Sequence, residues 1–174
     1  MMKLALIGYG EVGHIFARDL LATGKVEISV YDILFDDAEQ GASTRQDVDA
    51  NGLRVAANAA EAAREARLVI SAVTADAVAG VAEQAAHYLK PGQIFFDINS
   101  ASPVTKKNAF LKVDAIGAHY VEGAVMQPVP GPDLKVPILC GGPYAQEAAD
   151  LLNPLGMNMT PVSTEPGRAS AMKL

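Results

Sequence analysis

Apolar runs of strand length alternate with amphipathic stretches along most of the chain. Leu4 to Ile7 is followed by a glycine-rich turn, and then Val12, Ile15, Phe16 and Leu20 recur at the spacing of one helix face. Val26 to Tyr31 is a second β-rich run. Phe35 to Asn51 is polar and reads as loop with at most a short helix. Leu53 to Ala56 is a short strand, and Asn58 is placed to cap an alanine-rich helix through Glu65. Leu68 to Val73 is a continuous apolar run, as in a buried parallel strand. Thr74 is placed to cap a helix whose Val78, Val81, Ala82, Ala85 and Leu89 share a face, and Pro91-Gly92 stops it. Ile94 to Ile98 is the next strand. Ser102-Pro103 reads as N-cap and first residue of a helix through about Leu111.

The remainder has a different texture. Ala115 to Val121 reads as a strand, and a loop dense in Pro128, Pro130, Gly131 and Pro132 follows. Val136 to Cys140, Pro143 to Leu152 and Met157 to Val162 read as strand, helix and strand. Residues 165–174 begin a new helix and stop two turns in. A helix so short, without a packing partner, is marginal. The expected division is a domain over 1–164 and the start of an interdomain helix over 165–174, in a piece of a longer protein.

Strands alternating with helices at this rhythm predict an α/β fold, a doubly wound and mainly parallel sheet with helices on both faces. Right-handed crossovers bring the strand exits to one edge, where ligands bind. Those exits are Gly8 to Gly13, Val73-Thr74 and Asn99-Ser100. The first reads Gly8-Tyr9-Gly10-Glu11-Val12-Gly13, the Gly-x-Gly-x-x-Gly pattern between a strand and a helix. Gly8 permits the bend, Gly10 lets backbone approach a pyrophosphate, and Gly13 lets the helix pack on the strand. Asp32 ends the second strand about twenty residues after Gly13, where a carboxylate takes ribose hydroxyls. Together these imply a Rossmann-type dinucleotide site formed by Gly8, Tyr9, Gly10, Glu11, Val12, Gly13, Asp32, Val73, Thr74 and Asn99. NAD is favoured over NADP because Asp32 repels a 2′-phosphate, although Arg45 and Arg54 are near enough in sequence to relax that choice. The alternative is a glycine-rich turn in a flavodoxin-like domain.

Composition narrows the function further. At 174 residues, half of them apolar, the chain is one domain or one domain and a fragment. A net charge of −6 argues against nucleic acid and anionic membranes as partners. No run approaches the length of a membrane span, and because the N-terminus enters a strand directly no signal peptide is expected. The single cysteine, Cys140, forms no internal disulfide, which points to a reducing compartment and cytoplasmic location. His14, His87 and His119 lack metal-ligand spacing, so no metal is expected.

Four stretches together resemble the β-hydroxyacid dehydrogenases, a family related to 6-phosphogluconate dehydrogenase. The glycine turn is the first. Asp97-Ile98-Asn99-Ser100-Ala101-Ser102-Pro103 stands where the family has Asp-x-Ser-Thr-x-x-Pro. Glu122 to Pro128 stands where it has the substrate-binding Asp-Ala-Pro-Val-Ser-Gly-Gly. Gly167-Arg168-Ala169-Ser170-Ala171-Met172-Lys173 stands where it has Gly-x-Gly-x-x-x-Lys. The resemblance implies hydride transfer between NAD(P) and a small hydroxy acid or related polar substrate. It also implies Lys173, Asn99 and Ser100 as the catalytic set, with Lys173 moving the hydroxyl proton, and Ser100, Val125, Met126 and Gln127 as the substrate wall. The family's second, helical domain closes the site and builds a homodimer. Without it, this chain alone is expected to be inactive.

The departures carry information. Asn99 for serine keeps a hydrogen-bond donor. Met126-Gln127-Pro128 for Ser-Gly-Gly removes a hydroxyl and a backbone N–H, which argues against a 3-hydroxyisobutyrate-type substrate. Glu122 reads equally as site wall or surface acid, and His14 as packing. Two further readings stay open: an imine-reductase-like enzyme, whose relatives usually lack the lysine, and a non-catalytic NAD(H)-sensing module.

Overall fold

The computed structural model describes residues 1–173. Eight strands form one sheet: β1 (Met2–Ile7), β2 (Val26–Tyr31), β3 (Arg54–Val55), β4 (Leu68–Ser71), β5 (Ile94–Asp97), β6 (His119–Val125), β7 (Pro137–Gly141) and β8 (Asn158–Ser163). Their order is β3-β2-β1-β4-β5-β6-β7-β8. Neighbours are parallel except β6 and β7. The helices are α1 (Glu11–Leu21), α2 (Gln40–Ala50), α3 (Ala59–Ala63), α4 (Val78–Tyr88), α5 (Pro103–Asp114), α6 (Ala145–Leu152) and α7 (Arg168–Lys173). This is the expected Rossmann-type fold.

Strand side chains alternate between two apolar cores. Leu4, Leu6, Ile28, Val30, Ile70 and Phe96 meet Phe16 and Leu20 of α1 and Leu152 of α6 on one face. Ala5, Ile7, Val69, Phe95 and Tyr120 meet Ala62, Ala82, Ala85, Ala109 and Val113 of α3, α4 and α5 on the other. The alanines let these three helices lie close to the sheet. Cys140 is buried, and burial pushes its thiol up to about 12. Among the described residues no helix is long and apolar enough to cross a membrane.

Several expected elements need correction. The polar stretch after Phe35 contains an eleven-residue helix, α2, preceded by a 3₁₀ turn over Ile33–Asp36. Asp37 Oδ1 caps it by accepting from Glu39 N and Gln40 N at 2.9 and 2.8 Å. Only Gly41 and Val48 are buried along it, too few to leave a helical period in the sequence. The strand expected over Ala115 to Val121 starts at His119 and runs to Val125, because α5 extends to Asp114 and a turn at Gly117 follows. The Asn58 cap is present, accepting from Glu61 N, but its helix ends at Ala63. Thr74 heads a 3₁₀ turn over Ala75–Ala77, and its hydroxyl caps nothing.

Candidate active site

The first βα turn is built as its spacing demands. Gly8 has φ +101°, and a Cβ there would overlap the Ala72 carbonyl oxygen of the neighbouring strand exit. A Cβ on Gly13 would stand 2.5 Å from the Gly8 carbonyl oxygen, so α1 rests directly on the turn. Gly10 heads α1 with open space around its Cα and no side-chain cap, leaving the first N–H groups of the helix for a ligand. Asp32 fastens this turn to the end of β2. Its Oδ2 accepts from Tyr9 N at 2.7 Å and its Oδ1 from Leu34 N at 2.9 Å.

A cleft of about 1240 Å³ runs across the carboxyl ends of the strands. Gly8, Gly10, Glu11, Val12, Asp32, Val73, Thr74, Asn99, Ser100, Val125, Met126, Gln127 and Lys173 all lie on its wall. The residues expected at the site therefore converge, with two corrections. Tyr9 is not on the wall. Its N–H is taken by Asp32, and its ring turns inward to stack on His14 at 3.7 Å and donate to Asp47 at 3.2 Å. Gly13 is buried beneath the turn and acts through packing. Arg45 and Arg54 do not reach the cleft either. Arg45 donates to the Phe35 carbonyl, and Arg54 is held by Ser29 and Glu61.

Asn99 is buried, with its carboxamide already committed. Nδ2 donates to Ser71 Oγ at 3.0 Å and to Asp97 Oδ1 at 2.8 Å, while Oδ1 accepts from Val73 N at 2.6 Å. Both amide hydrogens are used, so Asn99 clamps the β4 and β5 exits together, and orienting groups must come from its neighbours. Ser100 is exposed, and its hydroxyl accepts from Lys173 Nζ at 3.2 Å.

Glu122 is neither site wall nor surface acid. It is fully buried and heads α7, with Oε1 accepting from Gly167 N and Oε2 from Ser170 N, each at 2.9 Å. That cap aims the helix carrying Lys173. Beneath it lies a cluster that sequence reasoning passed over. Lys106 Nζ donates to the Asp97 backbone carbonyl at 2.8 Å, to Asp97 Oδ1 at 3.1 Å and to the Gly123 carbonyl at 3.3 Å. Tyr120 donates its hydroxyl to Asp97 Oδ2 at 2.8 Å. Burial lowers the Lys106 ammonium against the pull of Asp97, and it raises the Tyr120 hydroxyl well above its usual range. A signal existed: Lys106 shares a helical face with Ala109 and Val113, an unusual place for a lysine.

Among the described residues no group of His, Cys, Asp and Glu is arranged to hold a metal ion. His87 is exposed at the end of α4, and His119 stacks on Tyr144.

Comparison with known proteins adds to this geometry. The family described as the NAD binding domain of 6-phosphogluconate dehydrogenase matches residues 3–162. No curated protein matches the chain. Among solved structures, a conserved hypothetical protein from Sinorhizobium meliloti 1021 is 36% identical, with 99% of this chain and 57% of that one covered and a TM-score of 0.94. A conserved protein of unknown function, reported as structurally similar to 3-hydroxyacid dehydrogenases, is 28% identical over 99% of this chain and 62% of that one, at TM-score 0.84. An imine reductase from Streptomyces aurantiacus is 25% identical over 99% and 59%, at TM-score 0.81. The chain thus spans between 57% and 62% of the length of these three proteins.

Proposed function

Because the chain belongs to the family of the NAD binding domain of 6-phosphogluconate dehydrogenase, we propose that its cleft serves hydride transfer between a nicotinamide dinucleotide and a small hydroxy acid or related polar substrate. The observation that carries this reading is the pairing of Lys173 Nζ with Ser100 Oγ at 3.2 Å, on the wall of the same cleft as the glycine turn. The turn suits a pyrophosphate. Gly10 faces open space, the leading N–H groups of α1 are uncapped, and the positive end of that helix lies beneath.

Asp32 keeps a lone pair on each oxygen beyond the two N–H bonds it accepts, and these take ribose hydroxyls. Asp36 lies on the same wall, and among the described residues no arginine lines the cleft. A 2′-phosphate at this end meets two carboxylates, which favours NAD over NADP. The bound dinucleotide supplies the hydride donor or acceptor. Lys173 gives or takes the proton of the substrate hydroxyl, and the Ser100 hydroxyl, held by that lysine, orients the reacting group. Val125, Met126 and Gln127 form the substrate wall. We read α7 as the first turns of a helix leading to a further domain, and a homodimer of the full-length protein belongs to the same reading.

A second reading is imine reduction. The stretch from Val125 to Pro130 places Val125, Met126, Pro128, Val129 and Pro130 on the wall, an apolar surface poorly suited to a carboxylate. Lys173 separates the two. In the full-length protein, Lys173→Ala lowers kcat toward hydroxy acids by about 10²–10⁴ while the dissociation constant for the cofactor stays unchanged. Retained kcat contradicts the dehydrogenase reading and favours the imine one.

A further inference from the structure

The group that the site described above does not use is His14, one turn behind the glycine loop. It is the fourth residue of α1, and its ring stands between two oxygens. Nδ1 lies 2.9 Å from the Gly10 carbonyl oxygen, and Nε2 lies 2.9 Å from Asp47 Oδ2. A carbonyl and a carboxylate only accept hydrogen bonds, and a neutral imidazole has only one N–H. Both contacts are satisfied only when both nitrogens carry hydrogen, which is the imidazolium. The ring is also stacked on Tyr9, whose hydroxyl donates to the same Asp47 oxygen. The glycine loop is therefore gripped from the cleft side by Asp32 and from behind by His14 and Asp47.

The geometry points to His14 as a further dinucleotide-binding residue, a protonated clamp whose charge and hydrogen bonds hold the Gly8–Gly13 loop in its anion-receiving shape. This rests on the dinucleotide reading of the cleft. The electrostatics make the cation count. Glu11, Asp32 and Asp36 line the cleft, and Lys173 is the one positively charged residue among its described lining residues. The charged and titratable groups that face His14 are Asp47 from α2, Tyr9 from the loop, and Glu11 and Arg18 one turn either way on its own helix. Arg18 is turned to Asp19 and Asp133. A cation in the first turn opposes the helix dipole, so it is favoured there only while Asp47, and then a bound pyrophosphate, offset it. The His14 ring is within a Debye length of any anion seated on the N-terminus of α1, so screening at physiological salt leaves part of the attraction.

The consequence is linkage. An anion that prefers the doubly protonated ring binds with net uptake of protons and weakens as pH rises. The test is calorimetric titration of the protein with NADH across about pH 5.5 to about pH 8.5, in two buffers of different ionisation enthalpy. Wild type is expected to lose about threefold to tenfold in affinity over that range and to show proton uptake on binding. His14→Gln keeps one donor without the charge, and is expected to bind NADH with a flat pH profile and no uptake. Asp47→Asn, which leaves the ring in place, should shift the profile to lower pH. Ring ¹H–¹⁵N spectra supply an independent readout, with both His14 nitrogens protonated at the acid end. NADH binding that is pH-independent in wild type, or a slope that survives in His14→Gln, overturns the inference and leaves the cleft reading standing. Absence of NADH binding at every pH overturns both.

Discussion

Lys106 Nζ lies 3.1 Å from Asp97 Oδ1, and both side chains are sealed from solvent, at 0% and 1% exposure. This pair ties α5 to the end of β5, directly under the loop that presents Asn99 and Ser100. Two charges taken out of water hold only while they remain paired and hydrogen-bonded. Asp97 has that support from Asn99 and Tyr120 as well as from Lys106.

The two halves of the pair should therefore respond unequally to mutation. Asp97→Ala strands a buried ammonium and should cost about 3–5 kcal/mol. Lys106→Met leaves Asp97 three other donors and should cost about 1–3 kcal/mol. Urea denaturation reads both. Equal costs, or an Asp97→Ala cost below about 1 kcal/mol, contradict a network centred on the carboxylate.

Glu122 should control the order of α7 and not the global fold alone. Its carboxylate satisfies Gly167 N and Ser170 N. Glu122→Ala leaves two buried N–H groups without an acceptor, at about 1–3 kcal/mol for the hydrogen bonding. Amide hydrogen exchange over residues 168–173 should accelerate more than exchange in β1 and β4. Uniform acceleration across the sheet would assign Glu122 to the core instead.

Alkaline pH should weaken the fold through Tyr9 and Tyr31. Burial pushes both hydroxyls up to about 12, with Asp47 adding to the shift at Tyr9 and Asp36 at Tyr31. Unfolded tyrosine ionises near about pH 10, so the folded state holds these protons longer. Their contribution is fully present below that value and is lost as pH rises through about 12. Denaturation midpoints measured across this window should fall, and less steeply in Tyr9→Phe. An unchanged slope in Tyr9→Phe removes Tyr9 from the account.

Much of this was legible in the sequence where local pattern and tertiary environment agree. Val26–Tyr31 alternates because one face of β2 is buried, and its bounds could be read directly. The cleft residues were legible because strand exits in this topology converge on one edge. The helix over Gln40–Ala50 was not, because it buries little and is held by a cap and by contacts of Asp47 with Tyr9 and His14. Tyr9 was misplaced because its position in the motif fixes its backbone and says nothing of where its ring turns. Lys106 was passed over and Glu122 misread for a physical reason: a charged residue is ordinarily solvated, and only the fold buries Lys106 against Asp97 and brings Gly167 and Ser170 to Glu122.

Gly8 and Gly10 of the first turn should separate under substitution. Gly8→Ala meets the Ala72 carbonyl at a φ that alanine avoids, and should fail to fold normally. Gly10→Ala has ordinary dihedrals and open space, so its melting temperature should match wild type. Its added methyl instead occupies the approach to the helix N-terminus, and dinucleotide affinity should drop about tenfold or more, about 1.4 kcal/mol. Equal stability with undiminished affinity would move the ligand off this turn.

Titration of the protein with NADH and, separately, with NADPH, followed by calorimetry, tests the central claim most directly. The cleft that joins the glycine turn, Asp32 and Lys173 predicts saturable NADH binding below millimolar concentration, with NADPH weaker because Asp32 and Asp36 line the same wall and their charges oppose a 2′-phosphate. Tighter binding of NADPH contradicts the role given to Asp32. Absence of binding by either dinucleotide at millimolar concentration contradicts the account of the cleft itself.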